Sequence, residues 1–502
     1  MLLPARTRPP IIHGCSQRCV APRVTDARPR QRDVAEALDY VHAQARAYLD
    51  ELDARPVRDS GLEAALEAFE ASLPENGEGT LAALTQLVDS GTRAAVHSAG
   101  PRFFHFVIGG VTPAGLGADW LASTWDQNPG LWLGSPLGSK LEALTLGWLL
   151  DLFDLPRSWG GVLTTGATMG NFVGLAAARH WCAQRRGHDV EQTGLCDLAP
   201  IEVFSSGYIH ASVVKALSML GIGATHVHRL ARDAAGRLDI GALGAELEAS
   251  ADSPTIVVAT AGEVNAGDFD PIHEMADAAD RHGAWLHVDG AFGLFARLSP
   301  SHAGLARAVD RARSVAADGH KWLNVPYDCG FAFVDDPALL RATFGMTAAY
   351  LGRGADDRPD FGFLGPESSR RARALPVWAT LKAYGRSGHR AIVERHLELA
   401  KRLARRVDDE PALERLAECR LNIVCFRARP GGVAQESLDD LNRRAGELVL
   451  TDGRVYVGTT MYRGHVAFRP AIVNWRTTEA DVDLLVDVLL ELIDKARCDL
   501  GV

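Results

Sequence analysis

At 502 residues the chain is longer than one hydrophobic core usually organises, so two or three domains are expected. Its composition, 47% apolar and 23% charged, is that of an ordinary soluble globular protein. No apolar run reaches the roughly 18–20 residues of a membrane span, and a net charge of −10 argues against a nucleic-acid partner.

Residues 1–33 are rich in Arg and Pro and nearly free of acid, with no apolar periodicity. Such a stretch buries too little surface to order itself, and a disordered extension is expected. A targeting peptide or a mis-assigned start would look similar. Residues 34–115 read as an N-terminal helical segment, with Val34, Leu38, Val41, Ala45 and Leu49 on one face and a second helical pattern at Thr80–Val88. From 116 to 386, short apolar runs (Ile201–Phe204, Thr255–Thr260, Ala284–Val288, Phe331–Val334) alternate with helical stretches (His210–Leu220, Ala242–Ala249, Pro271–Arg281). That alternation predicts a parallel or mixed sheet covered on both faces. Residues 387–502 read as a smaller α+β domain: a long helix, a strand at Asn422–Arg427, further strands near Tyr456 and Val466, and a last helix from Glu479.

The eight cysteines show no CxxC and no metal-ligand spacing, which suits reduced thiols in a cytoplasmic protein. There are only six lysines, Lys140, Lys215, Lys321, Lys382, Lys401 and Lys495. Lys321 lies in Asp318-Gly319-His320-Lys321-Trp322-Leu323-Asn324. Burial among such neighbours would lower its pKa and make the amine a nucleophile, although an isolated lysine more often snorkels to solvent.

Three other segments change that balance. Trp285-Leu286-His287-Val288-Asp289-Gly290-Ala291 reads as a buried strand with Asp289 at its C-terminal end, where open α/β sheets bind ligands. A carboxylate there can keep a pyridine nitrogen protonated, or it can simply cap the next helix. His287 and Asp289 share one strand face, but no third metal ligand lies nearby. Thr164-Thr165-Gly166-Ala167-Thr168-Met169-Gly170-Asn171 leads into a helix whose free N–H groups suit a phosphate. It is neither a P-loop nor a dinucleotide fingerprint. His210, after the strand ending near Ser205-Ser206, can stack on a planar ligand or sit as a hydrogen-bonded core histidine.

Together these segments resemble the group II pyridoxal-phosphate amino-acid decarboxylases, the family of aromatic-amino-acid, glutamate, histidine and 2,4-diaminobutyrate decarboxylases. The likeness runs in order from about Pro101 to Asn474. It includes Pro101-Arg102-Phe103-Phe104 with Gly109-Gly110, Gly134-Ser135-Pro136 with Leu141-Glu142, Ser369-Arg370-Arg371 before Trp378, and Phe468-Arg469 with Asn474. The resemblance implies an α/β, fold-type I (aspartate-aminotransferase-like) enzyme with a large mixed-sheet domain and a smaller C-terminal α+β domain. It implies a homodimer, with pyridoxal 5'-phosphate as cofactor and an L-amino acid as substrate.

By the same resemblance Lys321 is the Schiff-base lysine, Asp289 the partner of the pyridine nitrogen, and His210 the residue stacked on one ring face, with Ala291 on the other. Ala167, Thr168 and His320 hold the phosphate with Asn171 close by. Asn265 stands in for a threonine in Gly262-Glu263-Val264-Asn265. Decarboxylation to the amine and CO₂ is the expected reaction, with an aromatic substrate slightly favoured by Phe103–Phe106. His210, Tyr327 and Tyr350 are candidate acids, and Phe104 and Phe106 candidate neighbours of the carboxylate. Arg102 and Arg353 are possible cations for a side-chain carboxylate.

The segment 351–366 has four Gly and no Tyr and is expected to act as a mobile lid. Relatives usually carry a Tyr there to protonate carbon, and Phe in its place goes with oxidative deamination to an aldehyde. Phe361 and Phe363 therefore keep that outcome open, alongside aminotransfer, another lyase reaction, or a non-catalytic binding role for the fold.

Overall fold

The computed structural model describes residues 30–345 and 358–502. The expected extension up to residue 29, Tyr350, Arg353 and the start of the expected lid lie outside the described residues.

By contact density the chain divides into two compact units. In the first (described residues 30–50 and 61–94), the helices are Gln31–Glu51, Leu62–Glu67 and Thr80–Ala94, and the first and third fall on the helical patterns read from Val34 and from Thr80. The first helix begins at Gln31, inside the expected extension.

The second unit (described residues 51–60, 95–345 and 358–502) holds both sheets. The larger has seven strands: β1 (Gly160–Thr164), β2 (Val203–Ser205), β3 (Val227–Arg229), β4 (Ile256–Thr260), β5 (Trp285–Asp289), β6 (Ser314–Asp318) and β7 (Gly330–Val334). Their spatial order is β1-β7-β6-β5-β4-β2-β3. The run from β6 to β3 is parallel, and β7 enters antiparallel between β6 and β1. Strands β4 and β5 are buried at every position, which is why they read as unbroken apolar runs rather than as alternation. The smaller sheet, β8 (Leu413–Arg415), β9 (Phe426–Ala428), β10 (Thr459–Tyr462) and β11 (His465–Phe468), is antiparallel in the order β10-β11-β9-β8. A mixed α/β sheet and a small antiparallel one constitute the expected fold-type I architecture.

Strands β1, β3 and β6 escaped the pattern reading. β1 opens on two glycines, and β6 is Ser-Val-Ala-Ala-Asp, too small in its side chains to announce a strand. Packing supplies what propensity lacks: a Cβ on Gly161 would stand 2.6 Å from the Ala332 carbonyl of β7.

Several segments that carried the resemblance prove to be scaffold. Ser135 caps helix Pro136–Leu152 by accepting the Gly138 amide at 3.1 Å. Glu142 and Arg370 form an ion pair at 2.8 Å, with side chains 0% and 1% exposed. Both also bond the backbone of Leu163 in β1. Arg371 pairs with Asp119, and Arg373 with Asp328 and Glu367. Arg102 donates to the Asp53 and Arg55 carbonyls, so its head group is engaged away from any substrate.

Candidate active site

Open α/β sheets place their strand C-termini and the following helix N-termini on one edge. Here that edge holds a cavity of about 430 Å³, within the usual size range of small-molecule sites. Asp289 at the end of β5, Asp318 at the end of β6 and Thr260 at the end of β4 all line it. Gly166, Ala167 and Thr168 contribute the start of helix Ala167–Arg185. His210, Ala291, His320 and Lys321 line it too, so most of the sequence-predicted residues converge on one space.

Lys321 sits in the turn after β6, with its side chain 20% exposed. Its Nζ lies 2.9 Å from Asp318 Oδ2 and 5.7 Å from the centre of the Phe292 ring. The turn is pressed against the 103–112 segment: a Cβ on Gly109 would stand 1.7 Å from the Lys321 carbonyl oxygen. Only glycine fits there, which explains the Gly109-Gly110 pair better than any chemistry does. The same segment carries Phe106 (φ 56°) and Val107 (φ 60°) in the left-handed region and into the cavity wall. A β-branched residue at such a φ is strained, and strain of this kind gathers at ligand sites.

Asp289 is buried, which pushes its carboxyl pKa up; Lys321 and His210 oppose that shift by their charge. The Ala291 amide donates to Oδ1 at 3.1 Å and Asn171 Nδ2 to Oδ2 at 3.1 Å. Asn171 is thus not a cavity residue but a buttress behind Asp289. His210 caps helix Ala211–Met219: its Nδ1 accepts the Ser212 amide at 3.2 Å, which leaves the ring hydrogen on Nε2. Burial is the main cause lowering its pKa, reinforced by Lys321 and Arg469 and opposed by Asp289. His320 stacks on Tyr327 with ring centres 4.2 Å apart and accepts the Cys329 amide on Nδ1 at 3.3 Å.

Some expectations are corrected. Asn265 does not line the cavity; its Oδ1 accepts the Thr460 hydroxyl at 2.8 Å, while Gly262 and Val264 form that wall. Phe104 is buried in the core around the small sheet and Phe103 stacks on Tyr456, so of this aromatic run only Phe106 reaches the cavity. Residues 358–366 are packed rather than loose. Asp360 accepts the Trp132 amide at 2.7 Å, Gly362 donates to the Gly130 carbonyl at 2.7 Å, and Phe361 and Phe363 are buried. Neither phenylalanine lines the cavity.

Two charged cavity residues were given no role from sequence. Asp318 accepts the Ala167 amide at 2.5 Å and pairs with Lys321, so it spans the helix start and the lysine. Its position three residues before Lys321 was visible in Asp318-Gly319-His320-Lys321, but its role was not. Arg469, just after β11, donates from its guanidinium to the Val264 carbonyl at 3.0 Å, and its Nε is buried without a protein partner. Burial lowers its pKa, with Glu263 opposing.

Pyridoxal phosphate suits this donor set. Thr165, Thr168, His320 and a helix N-terminus are neutral or positive donors for a phosphate, and a Cβ on Gly166 would intrude to 3.0 Å from His320. Asp289 offers a carboxylate to a ring nitrogen, and Lys321 an amine to an aldehyde.

Comparison with known proteins agrees. The aromatic-L-amino-acid decarboxylase of Bacillus atrophaeus is 29% identical over 418 residues, covering 82% of this chain and 85% of its own. The L-2,4-diaminobutyrate decarboxylase of Rhizobium meliloti is 31% identical, covering 84% and 83%. The crystal structure of Oryza sativa TDC with PLP and tryptamine superposes with a TM-score of 0.85 at 25% identity, over 93% of this chain and 98% of that one. Residues 63–429 match the pyridoxal-dependent decarboxylase conserved domain, and the chain belongs to that family, the carboxy-lyases that use pyridoxal phosphate to decarboxylate amino acids.

Proposed function

We propose that this site removes the α-carboxyl group of an aromatic or otherwise apolar L-amino acid and releases the amine. The observation that carries the reading is the meeting of Lys321, Asp289 and the Ala167–Thr168 helix start on one cavity whose wall also carries the apolar side chains of Phe106, Val107, Val264 and Phe292. When bound, pyridoxal phosphate supplies the electron sink for the pair left by the breaking Cα–carboxylate bond.

The chain's own residues do the rest. Thr168, Thr165 and His320 hold the phosphate; Ala167 contributes the helix start but not its amide, which Asp318 already takes. Lys321 would hold the cofactor through its aldehyde, and Ala291 and His210, both on the cavity wall, would flank the ring. His210, with its hydrogen on Nε2, is positioned to stack on one face and to give a proton to Cα. Arg469, whose Nε lacks a partner, receives the substrate carboxylate and orients it against the apolar wall. The same cation disfavours a substrate with a positive side chain.

The direct test is an amino-acid panel with added pyridoxal phosphate, scoring CO₂, amine, aldehyde and H₂O₂ together. Amine and CO₂ in equal amounts from aromatic substrates are expected; aldehyde with H₂O₂ would move the assignment to oxidative deamination. Arg469→Met is expected to raise KM about tenfold or more for every substrate that turns over, the loss of one charge-assisted contact. A rise confined to acidic side chains would mean that Arg469 reads the side chain instead.

A homodimer belongs to this reading. Trp120, Leu121, Trp125, Leu133 and Leu137 are all exposed on the single chain, on or beside helices Pro113–Trp125 and Pro136–Leu152, and a run of large apolar residues left in water marks an interface. Sedimentation at twice the chain mass is the expected result. Among the described residues no helix is long and apolar enough to cross a membrane.

A further inference from the structure

Behind Asp289 lies a chain of buried polar side chains that the chemistry described so far does not use. Strand β5 presents Trp285, His287 and Asp289 on one face, as alternate residues do. Ser314 of β6 pairs in register with His287. Helix Ala167–Arg185 packs so closely on this face that a Cβ on Gly174 would stand 2.9 Å from the His287 ring. Trp285 Nε1 lies 2.9 Å from Ser314 Oγ, which lies 2.8 Å from His287 Nδ1. His287 Nε2 lies 2.9 Å from Asn171 Oδ1, and Asn171 Nδ2 lies 3.1 Å from Asp289 Oδ2.

With Asp289 ionised, each hydrogen in this chain has one consistent place. An ionised Asp289 only accepts, so Asn171 Nδ2 donates to it and the Asn171 oxygen faces a donating His287 Nε2; Nδ1 then accepts from Ser314, which in turn accepts the Trp285 indole N–H. Full burial drops the His287 pKa to about 3, so the ring is neutral with a single N–H. That hydrogen sits on Nε2 and is donated to the Asn171 oxygen. The opposite Asn171 orientation would set an NH₂ against the His287 N–H and an oxygen against the Asp289 carboxylate, two repulsions in place of two bonds. Donation therefore runs one way, from Trp285 through Ser314, His287 and Asn171 to Asp289.

We infer that His287 is a positioning residue for the cofactor: its Nε2–H locks the Asn171 amide so that it donates to Asp289, holding that carboxylate ionised and turned towards the ring nitrogen. This rests on the reading of Asp289 as the partner of that nitrogen. A histidine that merely filled the core would be replaceable by any side chain of similar size. A directional one is replaceable only by a side chain that places a donor where Nε2 was.

Glutamine can place its amide N–H near the Nε2 position, whereas asparagine reaches only the Nδ1 position. The test compares His287→Gln with His287→Asn by equilibrium binding of pyridoxal phosphate to the cofactor-free protein, with thermal melting as the check on folding. His287→Gln is expected to bind within about threefold of the unmodified protein. His287→Asn should lose about tenfold or more, as for one hydrogen bond to a charged group. It should also displace the pH midpoint of the bound cofactor's absorbance, which packing alone does not move.

Equal affinities for the two variants overturn the inference. Asp289→Asn run alongside separates the two levels: if it too leaves affinity unchanged, the Asp289 reading fails, and if it alone lowers affinity, only the His287 role fails. Should His287→Asn not fold, Asn171→Ala stands in. It must show the same loss, and an unchanged affinity overturns the inference equally.

Discussion

Lys321→Ala is expected to lower kcat/KM about a thousandfold or more, roughly 4 kcal/mol of transition-state stabilisation at 1.36 kcal/mol per tenfold. The other five lysines do not line the cavity, so no neighbour can replace the lost amine. Borohydride treatment followed by mass spectrometry should fix the cofactor to the peptide containing Lys321 in the unmodified protein and to no peptide in the variant. Labelling of another lysine, or turnover within tenfold of normal, would remove Lys321 from its role.

The same substitution has a second consequence. Asp318 is only 3% exposed and pairs with Lys321 at 2.9 Å. Removing the ammonium leaves a nearly buried carboxylate with the Ala167 amide and His320 as its remaining partners, and stranding one member of such a pair is destabilising. Lys321→Ala should therefore melt below the unmodified cofactor-free protein. Lys321→Ala with Asp318→Asn should recover most of that loss without regaining activity.

How much of this was legible in the sequence depended on how each residue does its work. Lys321, Asp289 and the Gly166–Thr168 turn were readable because strand ends and helix starts leave local marks: an apolar run that stops at a carboxylate, and small residues before a helical period. Asp318 left none. Strand β6 is built of small residues, so the carboxylate at its end did not read as a strand end. Arg469 was visible only as part of a C-terminal likeness, because its place in the cavity depends on β11 and the following chain coming beside the 262–264 turn, a contact between segments some 200 residues apart (Arg469 to Val264 is 205). Asn265 failed for the converse reason. Its turn was correctly placed at the site, but Gly262 takes φ 84°, and the backbone beyond it carries the Asn265 amide away to Thr460.

The aldehyde alternative rested on Phe361 and Phe363 standing where relatives have a tyrosine. Both are core residues here, beside an Asp360 that holds the Trp132 amide. Their bulk is accounted for by packing, and neither lines the cavity. The reaction outcome then turns on how Cα receives its proton, for which His210 is the candidate on the cavity wall.

Asp289→Asn is expected to separate activity from stability more sharply than any other change in this protein. Activity should fall about a hundredfold or more, because a neutral amide does not hold the ring nitrogen protonated and the electron sink is lost. The cofactor-free fold should not weaken, because burial is the dominant influence on Asp289 and disfavours its charged form. For an acid whose folded pKa is raised, the folded state binds the extra proton between the ordinary carboxylate pKa and the raised one, so stability falls as pH rises through that window. Lys321 and His210 face Asp289 and reduce the penalty without reversing it. Glu263 and Asp270, also pushed up by burial to about 7, contribute with the same sign in both proteins and so cancel in the comparison. The melting temperature of the unmodified cofactor-free protein should therefore drop more steeply with rising pH than that of Asp289→Asn, the curves meeting on the acid side. Parallel curves would mean that Asp289 is ionised at no cost, and its carboxylate would then need a stronger partner than Asn171, Ala291, Lys321 and His210 provide. Divergent curves together with lost turnover would show a fold that tolerates a buried carboxylate because its chemistry requires one.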